Sequence, residues 1–214
     1  MNNQILNALL EREEAHRQIV ENKLKIITNP SFHRLYNLWK DFDKSTSIEN
    51  MLSEFNENYV KFWINDKYNK DLTKGFNMLY FEHSGYYGCG ETEAYAINFA
   101  DTNQQKLPVL ELMDSRFEYL DNISCFPALT IGVLDEFSMA QDEDKDNWDD
   151  DKEWDDRISI YNLFESTGMI TFHEMLKKVN FHKISKELNL KFPFYFSFCE
   201  HDCGEEPKLI YAIA

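Results

Sequence analysis

The chain lacks a long apolar stretch: its longest near-continuous run, FPFYFSF at residues 192–198, is far too short to cross a bilayer. The opening MNNQILNALLEREEAHRQ lacks a basic stretch followed by a long apolar core and a small-residue cleavage site, so it makes a poor export signal. A cytoplasmic location is the resulting expectation. Cysteine is scarce: Cys89, Cys125, Cys199 and Cys203 are too few in 214 residues to suggest a disulfide scaffold, and reduced thiols are expected. Lysine and arginine nowhere cluster, which disfavours direct contact with nucleic-acid phosphates. Catalytic signatures are missing too. There is no Gly-x-Ser-x-Gly elbow, and GYYGCG at 85–90 lacks the lysine and the strand-to-helix context of a phosphate-cradling loop.

What is present is apolar and aromatic content fit for a core, 43% and 15% of residues, so most of the chain is expected to fold. Residues 1–75 read as helical. Ile5, Leu6, Leu9, Leu10, Ile19, Leu24 and Ile27 recur roughly at helical spacing, and Pro30 closes that segment. Ser31 is placed to cap a second helix carrying Phe32, Leu35, Tyr36 and Trp39. Thr46 and Glu49 have capping-box spacing ahead of a third, striped by Met51, Leu52, Phe55, Tyr59, Phe62 and Trp63. These aromatics are read as core.

After Gly75 the pattern changes. FNMLYFEH and EAYAINFA flank a glycine turn and predict a β-hairpin; FPFYFSFCE and KLIYAIA predict a second. LPVLELM and ALTIGVL are further strand candidates, with DSRFEYLDN between them as short helix or loop. RISIYNLFES fits either element, and Thr171 with Glu174 would open a helix over FHEMLKKVNFHKISKEL. The expected architecture is one α+β domain, residues 1–214, with N-terminal helices packed on a mostly antiparallel sheet built from hairpins.

Charge is unevenly spread. Residues 1–75 carry 11 Lys+Arg and 11 Asp+Glu, whereas residues 76–214 carry 11 and 27, which accounts for the whole net charge of -16. Residues 142–156 alone hold 10 acidic and 2 basic side chains, half of that excess. Such a field accelerates and orients encounter with a basic protein. The stretch also carries Trp148 and Trp154, a residue type enriched at the anchoring centres of interfaces. The partner-binding candidates are therefore Asp142, Asp144, Asp146, Trp148, Asp149, Asp150, Asp151, Trp154, Asp155 and Asp156.

Two metal readings stand beside this one. Asp142, Asp144, Asp146 and Glu153 occupy positions one, three, five and twelve of a calcium-loop spacing, with Asn147 where a glycine usually turns the chain. Zinc could be held by His83, Cys89, Cys199, His201 and Cys203, presented by two hairpin turns, although Cys199 and Cys203 are spaced Cys-x-x-x-Cys. His201–Asp202 matches a hydrolase metal dyad only as a dipeptide, and Glu91 with Glu93 would share one exposed strand face.

Size, acidity and the lack of a catalytic signature make the chain similar in physical character to small bacterial immunity proteins, which block toxins, often basic nucleases. The expectation is an acidic cytoplasmic binding protein that neutralises a basic protein partner, such as a toxin. The alternative is a zinc-binding protein or metal-dependent enzyme using the Cys/His turns.

Overall fold

The structure is a computed structural model and describes residues 1–64, 75–83, 90–99, 110–112, 117–120, 126–144, 150–201 and 206–214. Three helices open the chain, as the periodicity predicts: α1 (Asn2–Lys23), α2 (Pro30–Asp41) and α3 (Lys44–Asn58), the last running into a π-helical turn, Tyr59–Ile64. Their caps differ from the expected ones. Asn29 rather than Ser31 caps α2, its side chain accepting from Ser31 N–H, which leaves Pro30 at the first helical position where its missing N–H is harmless. Asp43 caps α3 by accepting from Ser45 and Thr46 N–H.

The described strands form one six-stranded mixed sheet. They are β1 (Phe76–His83), β2 (Glu91–Phe99), β3 (Phe117–Tyr119), β4 (Phe126–Thr130), β5 (Leu190–Glu200) and β6 (Lys208–Ile213), ordered β3-β2-β1-β5-β6 with β4 also pairing β2. Both expected hairpins are present, β1–β2 and β5–β6, and they meet along a parallel seam between β1 and β5. Every other pairing is antiparallel. DSRFEYLDN supplies strand β3, and ALTIGVL divides into the end of β4 and the start of helix α4 (Gly132–Asp144). Of LPVLELM, residues 110–112 lie along β6: Leu209 N–H donates to Leu110 O and Leu112 N–H to Pro207 O.

Period two sorts each strand between two faces. Leu79, Phe81 and His83 of β1 and Phe194, Phe196, Phe198 and Glu200 of β5 turn toward the helices. Phe81 packs edge-on to Phe172 at 4.8 Å and near Phe55 at 6.5 Å. The opposite face carries Tyr80, Glu82, Tyr95, Tyr195 and Cys199, with Tyr80 against Tyr95 and Phe117.

At the centre of the helical layer lies α5 (Asp150–Leu176), a single helix where the sequence suggests an ambiguous segment followed by a new helix. Its residues 163–173 are all buried, touched from every side by α1, α2, α3, α4 and the sheet. Polar residues inside that run are satisfied locally or by neighbours. Thr171 Oγ1 donates to Gly168 O, so it caps nothing, and the Trp39 indole N–H donates to Thr167 Oγ1 at 2.7 Å. Glu165 meets Arg12 at 3.2 Å, and His173 Nδ1 meets Ile210 O at 2.7 Å. Helix α6 (Phe181–Leu188), capped by Asn180, then leads through Asn189 in the left-handed region into β5. The Asn2 side chain exchanges two hydrogen bonds with the Ala212 backbone, occupying part of the β6 edge. No described helix is long and apolar enough to cross a membrane.

Candidate functional site

A cleft opens between α4 and α5 over the end of the sheet. Leu134, Phe137, Ser138 and Gln141 line it from α4; Trp154, Arg157, Ile158 and Tyr161 line it from α5. Both sets are spaced i, i+3, i+4, i+7, a single stripe on each helix, and the two stripes face each other. His83 and Glu200, the last residues of β1 and β5, form the floor, paired in the parallel register. The cavity holds about 140 Å³. Trp154 is 56% exposed and Ile158 36%, which puts both at its rim.

The floor is a hydrogen-bonded chain. Tyr161 Oη donates to Glu200 Oε2 at 2.8 Å and lies 3.3 Å from His83 Nε2. Because the phenol has one proton and gives it to the carboxylate, His83 Nε2 carries a hydrogen and donates to Tyr161 Oη. The His83 ring stacks flat on Phe198 at 5.0 Å and is 2% exposed. Burial pushes its pKa down to about 4, so the imidazole is neutral at physiological pH. Higher up, Arg157 Nη2 donates to Gln141 Oε1 at 3.2 Å, and this fixes which end of the amide points where. Gln141 Nε2 is buried and has no hydrogen-bond partner among the described residues.

The acidic stretch is divided between two helix ends. Asp142 and Asp144 belong to the last turn of α4, and α5 begins at Asp150; residues 145–149, with Asp146, Trp148 and Asp149, lie outside the described ones. An opening rich in Asp and Glu suits the positive end of a helix dipole, a structural reason for part of the acidity. Several carboxylates are held by the N-terminal helices. Arg34 reaches Glu143 at 2.6 Å and Asp144 at 3.4 Å, Lys23 meets Asp156 at 2.5 Å, and Asn29 donates to both oxygens of Glu153 at 3.0 Å. Asp142 and Asp155 remain exposed, each next in sequence to a cleft residue. Of Asp150 and Asp151 only the place in α5 is described.

Neither metal arrangement is realised among these residues. Positions one and three of the calcium spacing sit two apart on a helix, so Asp142 and Asp144 diverge by about 200° instead of converging on one cation. For zinc, His83 faces the helices, whereas Cys199, paired with Glu82, is buried on the other side of the sheet. His201 joins that other side, its Nδ1 3.0 Å from Glu82 Oε1. Cys89 and Cys203 lie outside the described residues, and the described ones hold no group of three or more His, Cys, Asp or Glu able to bind a metal. Glu91 and Glu93 do share the exposed face of β2.

Sequence reasoning selected Trp154 and His83 but not their neighbours in the cleft. The repeated i, i+3, i+4, i+7 spacing at 134–141 and 154–161 is the signal that could have found them. No protein-family model, curated protein or solved structure matches the chain. What the fold defines is an α+β protein with a mixed sheet, a helical layer on one face, and a small cleft at the sheet's end.

Proposed function

We propose that this protein is a stoichiometric binding protein that captures a basic protein partner and neutralises it, as an immunity protein neutralises a toxin. The observation that carries this reading is Trp154: a large indole, 56% exposed, at the rim of the α4–α5 cleft, with Asp142 and Asp155 exposed beside cleft residues. Exposed aromatics set among charges are the anatomy of an interface, in which a rigid ring anchors and a charged rim excludes competitors. The net charge of -16 supplies long-range attraction for a cationic surface. The footprint is narrower than the acidic stretch itself, because Asp144, Glu153 and Asp156 are engaged with Arg34, Asn29 and Lys23.

The test begins with purification of complexes from native cells and asks for a basic protein in one-to-one ratio. Stopped-flow binding then follows. Trp154→Ala should raise the off-rate by roughly tenfold or more, and Asp142→Asn with Asp155→Asn should lower the on-rate and flatten its salt dependence. If neither rate moves, this face is not the interface.

A further inference from the structure

We propose that the α4–α5 cleft seats a single leucine-sized apolar side chain of the partner, presented on a segment whose neighbouring side chains are lysine or arginine. This rests on the partner-capture reading and adds to it what the partner must offer.

Room and lining set the size and polarity of the occupant. A cavity of about 140 Å³ is on the scale of a buried cavity of about 150 Å³ that holds one benzene, so it takes one side chain and not the face of a helix. Trp154 and Ile158 stand one turn apart on α5 and are 56% and 36% exposed, an apolar pair left in water at the mouth. Phe137 and Leu134 of α4, almost wholly buried, close the back. The polar groups of the lining pair with one another: Tyr161 donates to Glu200 and accepts from His83, and Arg157 donates to Gln141. What the cleft holds out to an occupant is therefore apolar contact, gained by taking the Trp154 and Ile158 surfaces out of water.

Charge sets the flanks. Helical spacing places Asp135 three residues before Ser138 and Asp142 four after it, along the α4 edge of the mouth. Asp155, three before Ile158, does the same on α5. Asp142 and Asp155 are exposed. A second copy of the chain would bring its own net charge of -16 and the same acids to this mouth, and an anionic lipid surface would likewise be repelled. Lysine or arginine on either side of the inserted side chain meets these carboxylates, with its aliphatic stem laid along the exposed indole.

The full chain is titrated with three capped pentapeptides: leucine between two pairs of lysines, serine between two pairs of lysines, and leucine between two pairs of glutamates. ¹H–¹⁵N spectra follow the Trp154 indole N–H, identified by its loss in Trp154→Phe. The lysine-flanked leucine peptide should shift that signal and bind roughly tenfold more tightly than the serine peptide. The glutamate-flanked peptide should not bind. Ile158→Ser, at the exposed rim, should weaken the leucine peptide by roughly threefold or more and leave the serine peptide unchanged. Asp142→Asn with Asp155→Asn should weaken both lysine-flanked peptides alike.

Equal binding of the leucine and serine peptides, equal binding of the lysine- and glutamate-flanked peptides, leucine-peptide affinity unmoved by Ile158→Ser, or no indole shift up to the solubility limit would each overturn the proposal. So would an indole shift that follows protein concentration alone, which gives the cleft to a second copy. Failure here and failure of the partner reading are told apart by the complexes recovered from cells. A one-to-one basic partner found beside any of these outcomes keeps that reading and moves the contact elsewhere. Leucine-selective peptide binding with no partner recovered keeps the cleft and removes the reading.

Discussion

Tyr161, at the floor of the α4–α5 cleft, donates its phenolic hydrogen to Glu200, the last residue of β5, across 2.8 Å. The same oxygen receives His83 Nε2–H at 3.3 Å, so one hydroxyl ties the ends of the two parallel central strands to the central helix. Tyr161→Phe removes donor and acceptor together and leaves a buried imidazole N–H without this partner. We expect a loss of about 1–3 kcal/mol in urea unfolding, with an unchanged m-value; a loss below a few tenths would mean that the chain is structurally idle.

Acid should destabilise the fold through His83. Its folded pKa of about 4 lies below the unfolded value of about 6.5, so the unfolded state binds more protons between the two. Stability is therefore full above pH 6.5 and falls as pH drops toward 4, by about 3 kcal/mol for this group. His173, whose pKa burial also lowers, acts in the same sense. Unfolding free energies at pH 7, 6, 5 and 4 should trace this slope, and His83→Gln should reduce it without erasing it. An identical slope in the variant refutes the assignment.

Two ion pairs that look alike on paper should behave differently. Arg12 faces a Glu165 side chain only 9% exposed on the central helix. Arg12→Met takes the guanidinium away from that buried carboxylate and should cost about 3 kcal/mol, the low end for such a pair because Arg12 keeps some solvent contact. Lys23 and Asp156, each about a quarter exposed, form a pair worth less than about 1 kcal/mol, so Lys23→Met should be nearly silent. Chemical denaturation of both variants checks the contrast.

Gly90 follows the β1–β2 turn and packs on the β4–α4 junction. A Cβ there would lie 2.2 Å from Ile131 O and 2.7 Å from Asp135 N, both backbone atoms that cannot step aside. Gly90 O also accepts from Ile131 N–H at 2.7 Å. Gly90→Ala should destabilise by about 2–3 kcal/mol. A melting temperature within a degree of wild type would rule out the close approach.

Trp154 gives the sharpest separation of folding from recognition. With more than half its surface in water, it contributes little to the core, and Trp154→Ala should change stability by less than about 1 kcal/mol. The same substitution is the one expected to shorten the life of the partner complex. Differential scanning calorimetry beside binding kinetics reads both; a large drop in melting temperature would reassign Trp154 to the fold.

The three N-terminal helices and both hairpins were legible because each buries one stripe or one face and so keeps a clear period. The middle of α5 was not, for an opposite reason. Leu163 to His173 is buried all round, so its apolar residues show no stripe and its Ser, Thr and Glu mimic a break. Thr171 and Glu174 have capping-box spacing by coincidence inside a continuous helix. The acidic stretch read as loop because ten carboxylates in fifteen residues suggest solvation, yet Asp142 and Asp144 close one helix and Glu153 to Asp156 lie near the start of the next. Two halves of the cleft were present as spacing. What no local pattern could supply was the parallel seam that sets His83 beside Glu200 and puts Cys199 on the far side.

That seam also has a bearing on how the chain is made. Residues 76–83 emerge from the ribosome long before residues 190–200, and until then Phe76, Met78, Tyr80 and Phe81 belong to a strand with one open, sticky margin. The nascent protein must carry that margin through the synthesis of α4, α5 and α6, a window in which a holding chaperone has something to grip. Translation pauses within residues 84–189 would lengthen the exposure and lower the yield of native protein.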